Sequence, residues 1–179
     1  MKAIFLPGNS LRNKEWVEEL EKNLRILFDE TKIQYYSHWE TGEKHANIEH
    51  ETSILLDKVG DEDDWVVIAK SIGTNIALEA IKKGMKPQKI IFLGFPLKFF
   101  DDNDLRKEVI SMINSVKSQI MFLQNSNDSF GSSDELEKFL NETKMKDYQL
   151  IEFANNETHD YQNYKKIKEL VLDFIRDIK

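Results

Sequence analysis

The chain has 179 residues, 40% of them hydrophobic and 32% charged, with a net charge of −7 and no cysteine. That balance suits one soluble domain with a real core and argues against a nucleic-acid-binding surface. It excludes disulfides, thiol catalysis and cysteine metal sites, and no stretch approaches the roughly 20 apolar residues of a membrane span. The absence of cysteine leans towards a reducing compartment, so a cytoplasmic location is expected.

Strand and helix patterns alternate from the first residue. Met1 to Pro7 is too short for a secretory leader and reads as a first buried strand at Ala3–Leu6. Trp16, Leu20, Leu24 and Leu27 recur at helical spacing. Lys32–Tyr36 reads as a second strand, and Ile48, Thr52, Leu55 and Val59 mark a helix ended near Gly60. After the acidic turn Asp61–Asp64 comes the central apolar run Trp65–Ala69, then Gly73, Ile76, Ala77 and Ala80 at helical spacing. Lys89–Gly94 is the next strand, and Leu105, Val109, Met112 and Val116 share a helix face. Gln119–Gln124 is a strand, and Ser132 with Glu135 has capping-box spacing before Leu136, Phe139 and Leu140. Tyr148–Phe153 is the last strand, and Tyr164, Ile167, Val171, Phe174 and Ile178 form the face of a final helix. Six strands joined by crossover helices predict a single-domain α/β fold, a doubly wound three-layer sandwich with a mostly parallel sheet. Sites in such sheets lie at the strand C-termini.

The densest chemical signal is Ala69-Lys70-Ser71-Ile72-Gly73, a serine at a sharp turn between a buried strand and a helix. A tight turn there needs small residues two before and two after the serine, and Ala69 and Gly73 are small. It would lift the hydroxyl to the top of the sheet, with the Ile72 N–H beside it at a helix N-terminus. The plainer reading is a serine that only caps the helix. The pentapeptide resembles the G-x-S-x-G nucleophile elbow of the α/β-hydrolase superfamily, with Ala69 in place of the first glycine.

A serine hydroxyl needs a base, usually a histidine oriented by a carboxylate. The resemblance implies the chain order serine, acid, histidine. Of four histidines only His159 follows Ser71, in the loop between the last strand and the last helix. Asp128 stands in the polar turn Asn125–Gly131 after the preceding strand and looks like the family's acid loop. Its rivals are Asp101, Asp102 and Asp104 after the strand at 89–94. Asp160, next to the base, is expected to cap the last helix. By the same resemblance the loop Pro7-Gly8-Asn9 after the first strand supplies a second oxyanion donor, the Asn9 N–H, beside that of Ile72. Pro7 departs from the family's usual histidine there but leaves the backbone donor in place. The resemblance implies strand order 2-1-3-4-5-6, no cap domain, and a chain shorter by two N-terminal strands than larger members.

Between Gly94 and Asp104, Phe95 and Phe99 either line an acyl pocket or fill the core under a loop. Trp39 and His38 are expected to border the cleft. Lys70 reads as exposed or structural. The cluster His38, His45 and His50 lacks the helical spacing of a metal pair, so no metal and no cofactor is expected. Gly8-Asn9-Ser10 has neither the Rossmann glycines nor the P-loop lysine of a phosphate cradle.

The expected function is a serine hydrolase acting on an ester, thioester or similar small acyl substrate. The alternative is a weakly catalytic or non-catalytic protein-binding module on the same scaffold, with a protein as partner. A flavodoxin-like nucleotide binder shares the alternation but gives Asp128 and His159 no role.

Overall fold

The computed structural model describes residues 1–154 and 157–177. Ile178, Asn155 and Asn156 therefore lie outside the described residues. The elements run β1 (Lys2–Leu6), α1 (Asn13–Leu24), β2 (Glu30–Ile33), α2 (His38–Thr41), α3 (Ile48–Val59), β3 (Trp65–Lys70) and α4 (Ile72–Lys82). They continue with β4 (Lys89–Leu93), α5 (Asn103–Ser115), β5 (Gln119–Asn125), α6 (Ser133–Asn141), β6 (Tyr148–Phe153) and α7 (Tyr164–Arg176). Short 3₁₀ turns cover Arg25–Leu27 and Leu97–Phe100. Among the described residues, no helix is long and apolar enough to cross a membrane.

All six strands pair in parallel in the order β2-β1-β3-β4-β5-β6. The four central strands are covered on both faces, so they read as continuous apolar runs. Their side chains alternate between two cores. Ile4, Val67, Phe92 and Phe122 face the layer of α3, α4, α5 and α6. Phe5, Ile68, Ile91 and Met121 face α1 and α7. Each such side chain, buried in full, is worth roughly 1.5–3 kcal/mol. The helices are started locally: Ser132 and Glu135 form the capping box of α6, and Asn47 and Asp102 cap α3 and α5.

Several local expectations need correction. The second strand lies at Glu30–Ile33, not 32–36. Its polar first residues hide it from a hydrophobicity reading. Gln34 still bonds the Phe5 carbonyl at 3.0 Å, but the chain then turns into α2. Tyr36 is buried past the strand end, where its hydroxyl donates to the Pro7 carbonyl at 2.7 Å. The last helix is capped by Asn163, which accepts from the Lys166 N–H, and not by Asp160. Leu105 is 48% exposed, on the outer side of its helix start.

One glycine is required by packing alone. A Cβ on Gly73 would stand 2.5 Å from the Leu6 carbonyl oxygen, a backbone atom that cannot move away without breaking the β1–β3 ladder. Gly73→Ala is therefore expected to lower the unfolding free energy by about 3 kcal/mol or more, read as a fall in the urea midpoint at unchanged slope.

Candidate active site

Because every strand is parallel, the loops that follow them open at one edge. The order reverses between β1 and β3, and the crevice lies there. It is an open cleft of about 610 Å³ whose walls include Asn9, Lys70, Ser71, Ile72, Phe99 and His159.

Ser71 sits between β3 and α4 with φ 52° and ψ −120°. Among the described residues it is the one non-glycine residue with positive φ. That geometry costs of order 1–3 kcal/mol and persists only where its surroundings impose it. Here the Ser71 N–H donates to the Leu93 carbonyl at 3.2 Å, and the Ser71 carbonyl accepts from the Thr74 hydroxyl at 2.7 Å. Ile72 is the first residue of α4. The leading N–H groups of a helix have no intrahelical partner and carry its positive dipole end.

Asn9 is fastened on two sides. Its carbonyl accepts from Trp39 Nε1 and His38 Nε2, each at 2.8 Å. Its side chain accepts from the Ala46 N–H and donates to the Lys44 carbonyl, both at 2.9 Å. From the other side Asn13 presses flat on Gly8, where a Cβ would stand 2.9 Å from Nδ2.

Asp128 and His159 form a hydrogen-bonded pair. Nδ1 of His159 lies 2.9 and 2.8 Å from the two Asp128 oxygens. The Asp128 side chain is wholly buried, and that of His159 is 17% exposed. Asp128 also accepts from the Phe130 N–H and the Tyr161 hydroxyl, each at 2.8 Å. Burial, then the Asp128 carboxylate, hold the Tyr161 phenol far above its ordinary pKa, so it stays a donor. A carboxylate on Nδ1 makes that nitrogen the protonated one, leaving Nε2 as a lone-pair acceptor. Nε2 is buried and, among the described residues, has no hydrogen-bond partner, the Ser71 hydroxyl included. Of the rival acids, Asp102 caps α5 and Asp104 pairs with Lys107; neither contacts His159.

The other expectations divide. Phe99 is 42% exposed and lines the cleft. Phe95 does not: it is fully buried between Phe92, Phe100, Phe122 and Phe139, and of its two expected roles the structure shows core filling under the loop. Trp39 stands behind the cleft as a support for Asn9 and is not among the residues that wall it. Among the described residues no group of three or more His, Asp or Glu is placed to hold a metal ion.

Several site residues escape a sequence reading. Gln124 and Asn125 end β5 and are buried. Gln124 accepts from the Phe95 N–H at 2.8 Å and donates to the Gly131 carbonyl, tying two loops together. Asn125 donates to the Thr158 and Asp160 carbonyls at 2.7 and 3.1 Å, fixing the loop of His159. The only sequence signal is a polar pair closing an apolar strand. Gly94, at φ 60°, lies under the imidazole. Tyr161 shows only as an aromatic residue two places after His159.

Lys70 is buried, at 4% exposure, not exposed. Its ammonium donates to Asn13 Oδ1 at 2.8 Å and lies 4.9 Å from the Trp16 ring centroid. Burial pushes its pKa from 10.5 down to about 8, against the opposing pull of Asp160 and Asp128. Below about 8 both folded and unfolded chains are protonated and the full burial cost is present, about 3 kcal/mol from the size of the shift. Between about 8 and 10.5 the unfolded chain holds the extra proton, so stability rises with pH. Lys70→Met is thus expected to be more stable than the wild type at pH 7, by about 1–3 kcal/mol. That advantage should shrink in urea melts run at successively higher pH.

The family described as "Alpha/beta hydrolase domain" matches residues 31–176, more than half of the chain, and the protein belongs to it. The solved structures it resembles share the fold at low identity. A Bacillus cereus protein superposes with a TM-score of 0.78 at 14% identity, over 98% of this chain; the chain spans 60% of that one. Alpha/beta hydrolase domain-containing protein 10 from mouse gives 0.72 at 14%, over 99% of this chain and 90% of that. An esterase from Exiguobacterium antarcticum gives 0.71 at 12%, over 99% and 92%. No curated protein matches by sequence. Family and fold together support a hydrolase.

Proposed function

We propose that the protein is a serine hydrolase of carboxylic esters, thioesters or similar small acyl substrates. The observation that carries this is that Ser71, on its positive-φ turn between strand and helix, lines the same cleft as His159, whose Nδ1 is held by the buried Asp128 carboxylate. A carboxylate on Nδ1 fixes the imidazole in the tautomer that can take a proton at Nε2 from a serine on the same cleft.

In this reading Ser71 Oγ attacks the acyl carbonyl carbon while its proton passes to His159 Nε2. The carbonyl oxygen becomes an oxyanion held by the N–H groups of Ile72 and Asn9. Asp128 fixes the imidazole tautomer and stabilises the imidazolium. The oxyanion then collapses, the C–O or C–S bond to the leaving group breaks, and that group takes the proton from Nε2. Water then attacks the acyl carbon while giving a proton to Nε2, the bond from that carbon to Ser71 Oγ breaks, and Oγ takes the proton back as the acid leaves. The substrate partner is a small acyl compound.

The test is Ser71→Ala on p-nitrophenyl acetate. Turnover should fall about a million-fold towards background, the scale seen when such a nucleophile is removed elsewhere. Wild-type rates in this variant would refute the assignment.

A further inference from the structure

A second cavity, of about 260 Å³, opens beside the cleft between α4 and α5. The two share Ile72 and Phe99 as a common wall. They differ in character. The cleft is walled on the α1 side by polar groups, among them Ser10, Arg12, Asn13 and Lys70. The second cavity is mainly apolar, with Val109 and Met112 among its walls. Two of the large apolar side chains that stand exposed, Phe99 at 42% and Leu105 at 48%, belong to it.

We infer that this groove receives the acyl chain of the substrate, and that the substrate class is an ester or thioester of an uncharged aliphatic acid longer than acetate. The inference rests on the serine-hydrolase reading above. It follows from the double position of Ile72. In the reading above its N–H holds the acyl oxygen, and the residue walls both the cleft and the groove. An acyl carbon at Ser71 has two substituents to place. The leaving group faces the polar arm, and the aliphatic chain passes between Ile72 and Phe99 into the apolar one. A chain seated there covers Phe99 and Leu105, which otherwise face water. Glu79 and Glu108 also wall the groove, and both pair with Lys82, at 3.6 and 2.7 Å. These carboxylates repel a chain that ends in a carboxylate of its own.

The experiment compares kcat/KM for p-nitrophenyl acetate, butyrate and hexanoate, and for the p-nitrophenyl monoester of adipic acid. It uses the wild type and Leu105→Glu, an exposed substitution whose folding is checked by circular dichroism. In the wild type the value should rise about four-fold for each methylene that enters the groove, the Boltzmann factor for burying one CH₂. The adipate monoester should fall well below hexanoate. In Leu105→Glu the hexanoate-to-acetate ratio should drop towards one. Turnover of acetate with a flat chain-length series, or an unchanged ratio in the variant, overturns the groove assignment and leaves the Ser71 chemistry standing. No turnover of any ester and no fluorophosphonate adduct overturns both.

Discussion

Asp128→Asn lowers kcat on an activated ester about ten-thousand-fold while the fold survives, by analogy with the same exchange in other Ser-His-Asp enzymes. The reason lies in proton placement. Asp128 accepts from His159 Nδ1, from Tyr161 and from the Phe130 N–H. An asparagine keeps the shape but only one acceptor oxygen, and because the Phe130 N–H and the Tyr161 hydroxyl donate to different oxygens of Asp128, one of them loses its acceptor. Its NH₂ turned towards the imidazole makes Nδ1 the acceptor, which moves the ring proton to Nε2. The nitrogen meant to receive the Ser71 proton then carries one already. Steady-state kinetics with circular dichroism check this. KM should change far less than kcat, since the ester does not touch Asp128. A variant that keeps wild-type kcat would show that the pair holds the loop together and does nothing more.

Gly94→Ala separates positioning from folding. Gly94 follows the last residue of β4, at φ 60°. A Cβ there would lie 2.8 Å from His159 Cε1 and 2.7 Å from Tyr161 Cε2. Both rings must shift, and the Asp128–His159 geometry shifts with them. A displacement of about 1 Å at a catalytic group costs about a hundred-fold in rate. The left-handed backbone adds about 1–2 kcal/mol of instability for alanine. Gly84→Ala is the matched control: its φ is 112°, and a Cβ meets nothing within 4 Å. It should lose stability through its backbone alone and keep its activity. Equal kcat losses in the two variants would remove the argument that Gly94 makes room for the imidazole.

The parts that a sequence reading captures are the local ones. β3 is apolar on both faces and ends in a turn built from Ala69, Ser71 and Gly73, so strand, elbow and helix are visible within ten residues. The strand order and the pairing of Asp128 with His159 are implied by the resemblance to the α/β-hydrolases, not by the spacing of residues, and the structure has both. What stays hidden depends on which way a side chain turns or on contacts between distant segments. Phe95 and Phe99 lie four apart in one loop, yet the first is in the core and the second on the cleft. Nothing in their spacing tells them apart. Gln124, Asn125 and Tyr161 act by tying loops that are 7 to 36 residues apart. Lys70, at the end of β3, is buried because Trp16 and Asn13 of α1 close over it.

The central claim is that Ser71 is the nucleophile and that the Asp128–His159 pair activates it. The most direct measurement treats the folded protein with a fluorophosphonate and maps the adduct by peptide mass spectrometry. The account predicts one adduct, on the peptide that carries Ser71, forming far more slowly in Asp128→Asn and not at all after unfolding in urea. An adduct on another serine, or none on the folded protein, would contradict it.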